Sequence, residues 1–272
     1  MSFRAACVQL RSGDDVAENI RQTVALVRAA AARGATFIAT PENTTLMAPD
    51  GGAKLAQSFD EAHDPAIPVF AALARELKVW LLIGSLAIKV SADKTANRSL
   101  LFSPDGDITA RYSKIHLFDV ELASGETYRE SNTVEGGSEA VVAQTPWGGV
   151  GLSICYDIRF PQLYRRLAQK GAFLITVPAA FTVPTGSAHW HVLLRARAIE
   201  NGCFILAPAQ GGEHANGRKT FGHSLIIAPW GEILAEADSE PGVIVADIDP
   251  ALSAAARAKI PNLRHDRAFT GP

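Results

Sequence analysis

Across residues 149–154, Val150, Leu152 and Ile154 alternate with Gly149, Gly151 and Ser153, and the run ends on Cys155. That alternation predicts a strand buried on one or both faces. Pro161 suits the first turn of a following helix, with Leu163, Tyr164 and Leu167 as its inner face and Gly171 as its stop. The same two periods organise the rest. Residues 3–10 read as a first strand. Asp15-Val-Ala-Glu18 offers a capping box, and Val16, Ile20, Val24, Val27 and Ala31 then mark a helix ending near Gly34. Residues 36–40 form a second buried strand, broken by Pro41. Asp64-Pro65 opens a helix with Ile67, Phe70, Ala74 and Leu77 on one face. Residues 79–88 make a long apolar strand, and 99–111 a hairpin around Pro104-Asp105-Gly106. Further on come a strand over 173–177, a helix over about 188–201 stopped by Gly202, and strands near 203–207, 224–228 and 243–248. The tail from Pro250 is briefly helical, then irregular, an arm suited to packing on another subunit.

Strands and helices alternate, hairpins intrude, and no repeat, low-complexity tract or linker divides the chain. The expected architecture is an α/β layered fold with one domain over residues 1–272. Periodicity fails from Tyr112 to about Glu139, and a loop of that length in a compact domain is more often functional than idle.

Composition narrows the function. A chain of 272 residues with 47% hydrophobic content can bury a large core. A net charge of −2, with both signs dispersed, leaves no footprint for nucleic acid or an anionic membrane. No run of eighteen apolar residues spans a bilayer, and the first residues pass into a strand rather than a signal peptide. Cys7, Cys155 and Cys203 are too scattered for a disulfide framework or a Cys-rich zinc site. A cytoplasmic location is expected.

Three stretches place reactive residues at or just after strand ends. Glu42 follows the second strand, Lys114 sits among apolar and aromatic neighbours in 112–118, and Cys155 ends its strand. Read singly, each has an ordinary explanation: a solvated glutamate, a snorkelling lysine, a buried core thiol. Together they make chemical sense. A carboxylate of raised pKa can take a thiol proton and return it to a departing amine, while an ammonium lowers the thiol pKa and holds an oxyanion. Such a site needs neither metal nor cofactor.

Pro41-Glu42-Asn43, Tyr112-Ser-Lys114-Ile-His-Leu117 and Cys155-Tyr-Asp-Ile-Arg-Phe-Pro161 resemble the Glu, Lys and Cys motifs of the nitrilase (carbon–nitrogen hydrolase) superfamily. The resemblance covers essentially the whole chain. It implies a four-layer α-β-β-α sandwich and a homodimer or higher even-numbered oligomer. It also implies a second glutamate, placed at Glu130, with Glu121 and Glu126 as competing assignments. Further motifs, among them Gly186-Ser-Ala-His-Trp190 and Ala209-Gln-Gly-Gly-Glu-His214, resemble the branch holding deaminated glutathione amidases and ω-amidases. The implied reaction is hydrolysis of a small carboxylate-bearing amide through a thioester on Cys155. Tyr156, Arg159, Phe181 and Thr182 are the expected substrate-binding residues, Arg159 pairing either with the substrate carboxylate or with Asp157 or a neighbouring acid. ω-Amidase, N-carbamoyl amidohydrolase and a catalytically silent binding protein are the alternatives. His116, His189 and His223 are expected to make structural hydrogen bonds rather than a metal site, and Trp147, Trp190 and Trp230 to pack.

Overall fold

Alternation along β1 (Phe3–Gln9) sends its side chains to two different cores: Phe3, Ala5 and Cys7 to one, Ala6 and Val8 to the other. β2 (Phe37–Ala39) and β3 (Trp80–Lys89) divide in the same way, with Phe37, Ala39 and Leu82 on the first face and Ile38, Leu81 and Ile83 on the second. A sheet apolar on both faces must be covered on both. The second face lies under α1 (Val16–Ala32) and α3 (Ala66–Leu77), which contribute Val27, Ala30, Phe70, Leu73 and Ala74. The first face meets a second sheet, and α4 (Pro161–Gln169) and α5 (Val183–Asn201) close the outer side of that sheet. The result is an α-β-β-α sandwich in this computed structural model, which describes residues 1–121, 127–215 and 217–271.

The first sheet runs β16 (Gly242–Ile248), β1, β2, β3, β4 (Thr95–Phe102) and β5 (Ile108–Ser113). The second runs β15 (Ile233–Glu236), β14 (Leu225–Ile227), β11 (Phe204–Ala207), β10 (Ala172–Thr176), β9 (Gly148–Leu152) and β8 (Val142–Thr145). β1, β2 and β3 are parallel at the centre of one sheet, and β9, β10 and β11 at the centre of the other. Two small hairpins, β6 (Asp119–Glu121) with β7 (Thr127–Arg129) and β12 (Gly211–Glu213) with β13 (Lys219–Phe221), lie outside the sheets. Phe3 stacks on Trp147 with ring centroids 4.0 Å apart and meets Phe173 edge-on, so aromatic contact stitches the layers. The small residues of β9 also have a packing reason: a Cβ on Gly151 would lie 3.2 Å from Leu167 Cβ, so α4 packs close on this strand.

Several expectations shift. The Cys155 strand ends at Leu152, because Ser153 bonds to Tyr164 and the Thr176 carbonyl and the Ile154 N–H turns to Asp157. The helix expected from 188 begins at Val183, with Thr182 as N-cap and Pro184 in its first turn. Asp15 caps α1 by accepting from the Glu18 N–H at 3.0 Å, but Glu18 binds Arg21 and Gln22 instead of completing the box. Trp147 and Trp190 pack, whereas Trp230 is 52% exposed beneath Lys259. α2 (Gly51–Ala56), too short to carry a period, was not anticipated. From Pro250 the chain forms α6 (Pro250–Lys259), whose Arg257 reaches back to the Asn201 and Ala172 carbonyls.

Candidate active site

Glu42 is seated by a bulge in the neighbouring strand. The β3–β4 register shifts between Ile83 and Leu86. There the Gly84 N–H donates to Thr40 Oγ1 at 3.0 Å, and the Asn43 N–H donates to Ser85 Oγ at 2.8 Å. Only glycine fits at 84, since a Cβ would lie 2.0 Å from the Thr40 carbonyl oxygen. From the segment that follows β11 of the other sheet, Gln210 Nε2 donates to the Glu42 and Asn43 carbonyls at 3.0 and 3.2 Å. The backbone around the carboxylate is therefore tied to both sheets.

Lys114 leaves the end of β5, its N–H bonded to the Asn97 carbonyl on β4. Its ammonium, 2% exposed, donates to Glu42 Oε1 at 2.9 Å and to Glu130 Oε2 at 2.9 Å. Glu130 opens a 3-10 turn after β7 and accepts the Phe118 N–H at 2.7 Å. Asn97 Nδ2 spans both carboxylates, 2.9 Å from Glu42 and 3.2 Å from Glu130. Of the competing glutamates, Glu121 pairs with Arg129 at the surface, and Glu126 lies outside the described residues.

Cys155 heads a 3-10 turn, Cys155–Arg159, with φ +48°, a left-handed conformation that a non-glycine residue adopts only when its surroundings impose it. Two groups impose it. The Cys155 N–H donates to the Pro178 carbonyl at 2.9 Å. Asp157, fully buried, accepts from the Ile154 N–H at 2.9 Å, the Tyr112 hydroxyl at 2.6 Å, the His116 N–H at 3.0 Å and His116 Nδ1 at 2.7 Å. Asp157 is thus fully engaged, which removes the alternative that it pairs with Arg159. The N–H of Tyr156, in the opening turn, has no acceptor within the turn.

Burial opposes the charge on Glu42, but the ammonium of Lys114 and the hydrogen bonds of Lys114 and Cys155 outweigh it, and the carboxyl titrates below its usual range. The thiol moves the other way: burial first, then the negative charge of Glu42, push Cys155 well above an ordinary thiol despite Lys114. Lys114, though desolvated, is held well above an ordinary lysine by Glu130 and Glu42. Both expected directions, a raised carboxylate and a lowered thiol, are corrected. The resting site is carboxylate, ammonium and neutral thiol, because Lys114 spends its charge on two carboxylates and the sulfur sits in a dry wall.

These groups lie on a cavity of about 1010 Å³. Tyr156, Arg159, Phe181 and Thr182 all line it. The Arg159 guanidinium lies 5.8 and 5.6 Å from the Tyr156 and Phe181 ring centroids and donates to His189 Nδ1 at 3.3 Å. His191 turns instead to Glu236 at 2.8 Å, and His223 Nδ1 meets the Phe221 carbonyl. Among the described residues, no group of three or more His, Cys, Asp and Glu side chains is placed to hold a metal ion. Lys54 and Asn97 escaped the reading of the sequence. Lys54 stands on the unannounced α2, and Asn97 is one of several polar positions, with Thr95, Arg98 and Ser99, in the first half of β4.

Two sheets presenting strand ends to a shared cavity, with this buried set of groups at its floor, define the class: an α-β-β-α hydrolase of the nitrilase superfamily, acting on carbon–nitrogen bonds other than peptide bonds. The chain belongs to the carbon-nitrogen hydrolase family, whose model matches residues 4–258. It is 42% identical over 268 residues to a deaminated glutathione amidase of Synechocystis, covering 97% of each chain. It is 34% identical over 266 residues to human omega-amidase NIT2, covering 98% of this chain and 95% of that one. The crystal structure of the C. elegans NitFhit protein superposes with a TM-score of 0.91 at 34% identity over 98% of this chain, which spans 65% of that protein's length.

Proposed function

We propose that the protein hydrolyses deaminated glutathione to 2-oxoglutarate and cysteinylglycine through a thioester on Cys155. The observation that carries this reading is the Lys114 ammonium clamped between Glu42 and Glu130 beside Cys155, at the floor of a cavity far larger than a simple amide needs. The sulfur attacks the amide carbonyl while its proton passes to Glu42, so no standing thiolate is required. Lys114 and the Tyr156 N–H receive the oxyanion. Collapse breaks the C–N bond, and the proton on Glu42 goes to the departing nitrogen. Water, deprotonated by Glu42 or Glu130, then attacks the thioester and releases the acid and the thiol. Arg159, over Phe181 in the cavity that Thr182 also lines, holds the acyl-side carboxylate.

The same chemistry on 2-oxoglutaramate would make an ω-amidase, a reading favoured by the similarity to the human enzyme. Specificity constants for deaminated glutathione, 2-oxoglutaramate and an N-carbamoyl amino acid, measured side by side, decide between them. A preference for deaminated glutathione supports the proposal, and a preference for either other compound contradicts it.

We further propose a homodimer in the cytoplasm as the working form. No described helix is long and apolar enough to cross a membrane. Val192 and Ile199 on the outer face of α5 are 68% and 51% exposed, and Trp230 and Leu234 are further large exposed apolar side chains. Such a face suits a second copy of the chain. Light scattering of Val192→Asp/Ile199→Asp should report monomers; a wild-type monomer at micromolar concentration contradicts the dimer.

A further inference from the structure

Arg218 aside, whose guanidinium donates to the Ala180 carbonyl at 2.9 Å and lies over the Tyr128 ring, the basic side chains of the cavity fall into two groups. Lys114 is held by Glu42 and Glu130, Arg129 by Glu121, and Lys219 by Glu213. Arg159 and Lys54 have no carboxylate within ion-pairing distance among the described residues. Lys54 is half-buried on α2 and donates to one described partner, Asn43 Oδ1, at 2.9 Å, so an ammonium with three N–H groups has donors left over. Burial lowers its pKa; the charges of Glu130 and Glu42 act against that, and those of Arg218 and Lys114 add to it, leaving the ammonium below an ordinary lysine. An ammonium partly withdrawn from water, with carboxylates nearby but none in direct contact, gains when an anion pairs with it.

Its place tells which anion. Asn43 follows Glu42 in the chain, and Lys54 lies close enough to Glu42 and Glu130 for their charges to favour its own. In the reaction proposed above, Glu42 faces the departing nitrogen, so Lys54 stands on the amine side of the scissile bond. Arg159 stands with Tyr156 and Phe181 on the acyl side.

We propose that Lys54 is the specificity-determining contact for a carboxylate on the leaving-amine fragment, so that the cavity selects amides carrying one carboxylate on each side of the bond that breaks. This rests on the amidase reading and goes beyond it by assigning the second carboxylate a residue. It also explains why the cavity extends past the thiol toward α2 and the Gly217–Lys219 segment.

The test compares three substrates on the intact enzyme: deaminated glutathione, the same compound with its glycine carboxylate converted to a carboxamide, and 2-oxoglutaramate. For Lys54→Met the ratio of kcat/KM for deaminated glutathione to that for 2-oxoglutaramate should fall about tenfold or more, mainly through KM, and Lys54→Arg should restore most of it. Wild-type enzyme should lose a similar factor on the carboxamide, and the two losses should not add, because both delete one contact. The inference is overturned if the Lys54→Met ratio equals the wild-type ratio. It is also overturned if wild-type enzyme cleaves acid and carboxamide equally well, a result that depends on no variant folding. A wild-type enzyme that cleaves 2-oxoglutaramate but not deaminated glutathione overturns this inference and leaves the amidase reading standing. One that cleaves neither overturns both.

Discussion

The Lys114 ammonium lies 2.9 Å from the Glu42 carboxylate, with both side chains almost wholly removed from water. That pair fixes the charge state of everything around it. Replacing Lys114 by methionine removes the oxyanion donor and leaves two carboxylates joined only by Asn97. We expect kcat/KM to fall by about 10² to 10³ or more, and stability at neutral pH to fall by about 3–5 kcal/mol, the usual cost of orphaning a buried charge. One carboxyl of the variant then titrates above its unfolded value, so the deficit in urea midpoint should shrink as pH falls.

The pH profile follows from the same pair. Glu42 must be ionised to accept the thiol proton, and its carboxyl titrates below the ordinary carboxylate range. A depressed carboxyl gives stability that is present above its unfolded pKa and lost as pH falls through its folded pKa. Both activity and the Lys114–Glu42 contribution to stability should therefore decline only below about pH 4.3. Cys155 is pushed well above an ordinary thiol, so kcat/KM should show no thiol ionisation between neutrality and pH 9.0. Iodoacetamide alkylation of Cys155 over the same range provides an independent check, since a lowered thiol would give a plateau by neutral pH.

Cys155 holds φ +48°, and that strain is tied to its position at the head of the turn. Both Cys155→Ala and Cys155→Gly should be inactive. Glycine adopts this conformation freely, so the glycine variant should be more stable than the alanine variant by about 1 kcal/mol in urea unfolding. Equal stabilities would mean that the backbone relaxes when the thiol is removed.

Asp157 joins the nucleophile turn to the lysine loop through Ile154, Tyr112 and His116. Asparagine at this position presents an amide N–H where a donor already points. The expected cost is about 1–3 kcal/mol for the buried group left unsatisfied, together with a loss in kcat larger than the change in KM, because Cys155 is displaced rather than the substrate contacts. Unchanged kcat would show that the turn keeps its shape without this carboxylate.

Much of this was legible in the chain. β1, β2, β3 and β10 announced themselves because strands buried on both faces are written as nearly unbroken apolar runs. Cys155, Glu42 and Lys114 stood out through the residues around them, and Glu130 only by analogy with a short motif in a loop without periodicity. Lys54 and Asn97 did not stand out, since what distinguishes them is what the fold brings near them: Asn43 in one case, two carboxylates in the other. The ionisation of the site was misread for the same reason. An ammonium near a thiol suggests a thiolate, but Glu130 and the depth of the sulfur reverse the balance, and neither is visible along one dimension.

The most direct measurement is intact-protein and peptide mass spectrometry of enzyme acid-quenched during turnover of deaminated glutathione. The account predicts a 2-oxoglutaryl group on the peptide carrying Cys155, lost on hydroxylamine treatment and absent from Cys155→Ala. An acyl group on any other residue, or continued turnover by Cys155→Ala, would contradict it.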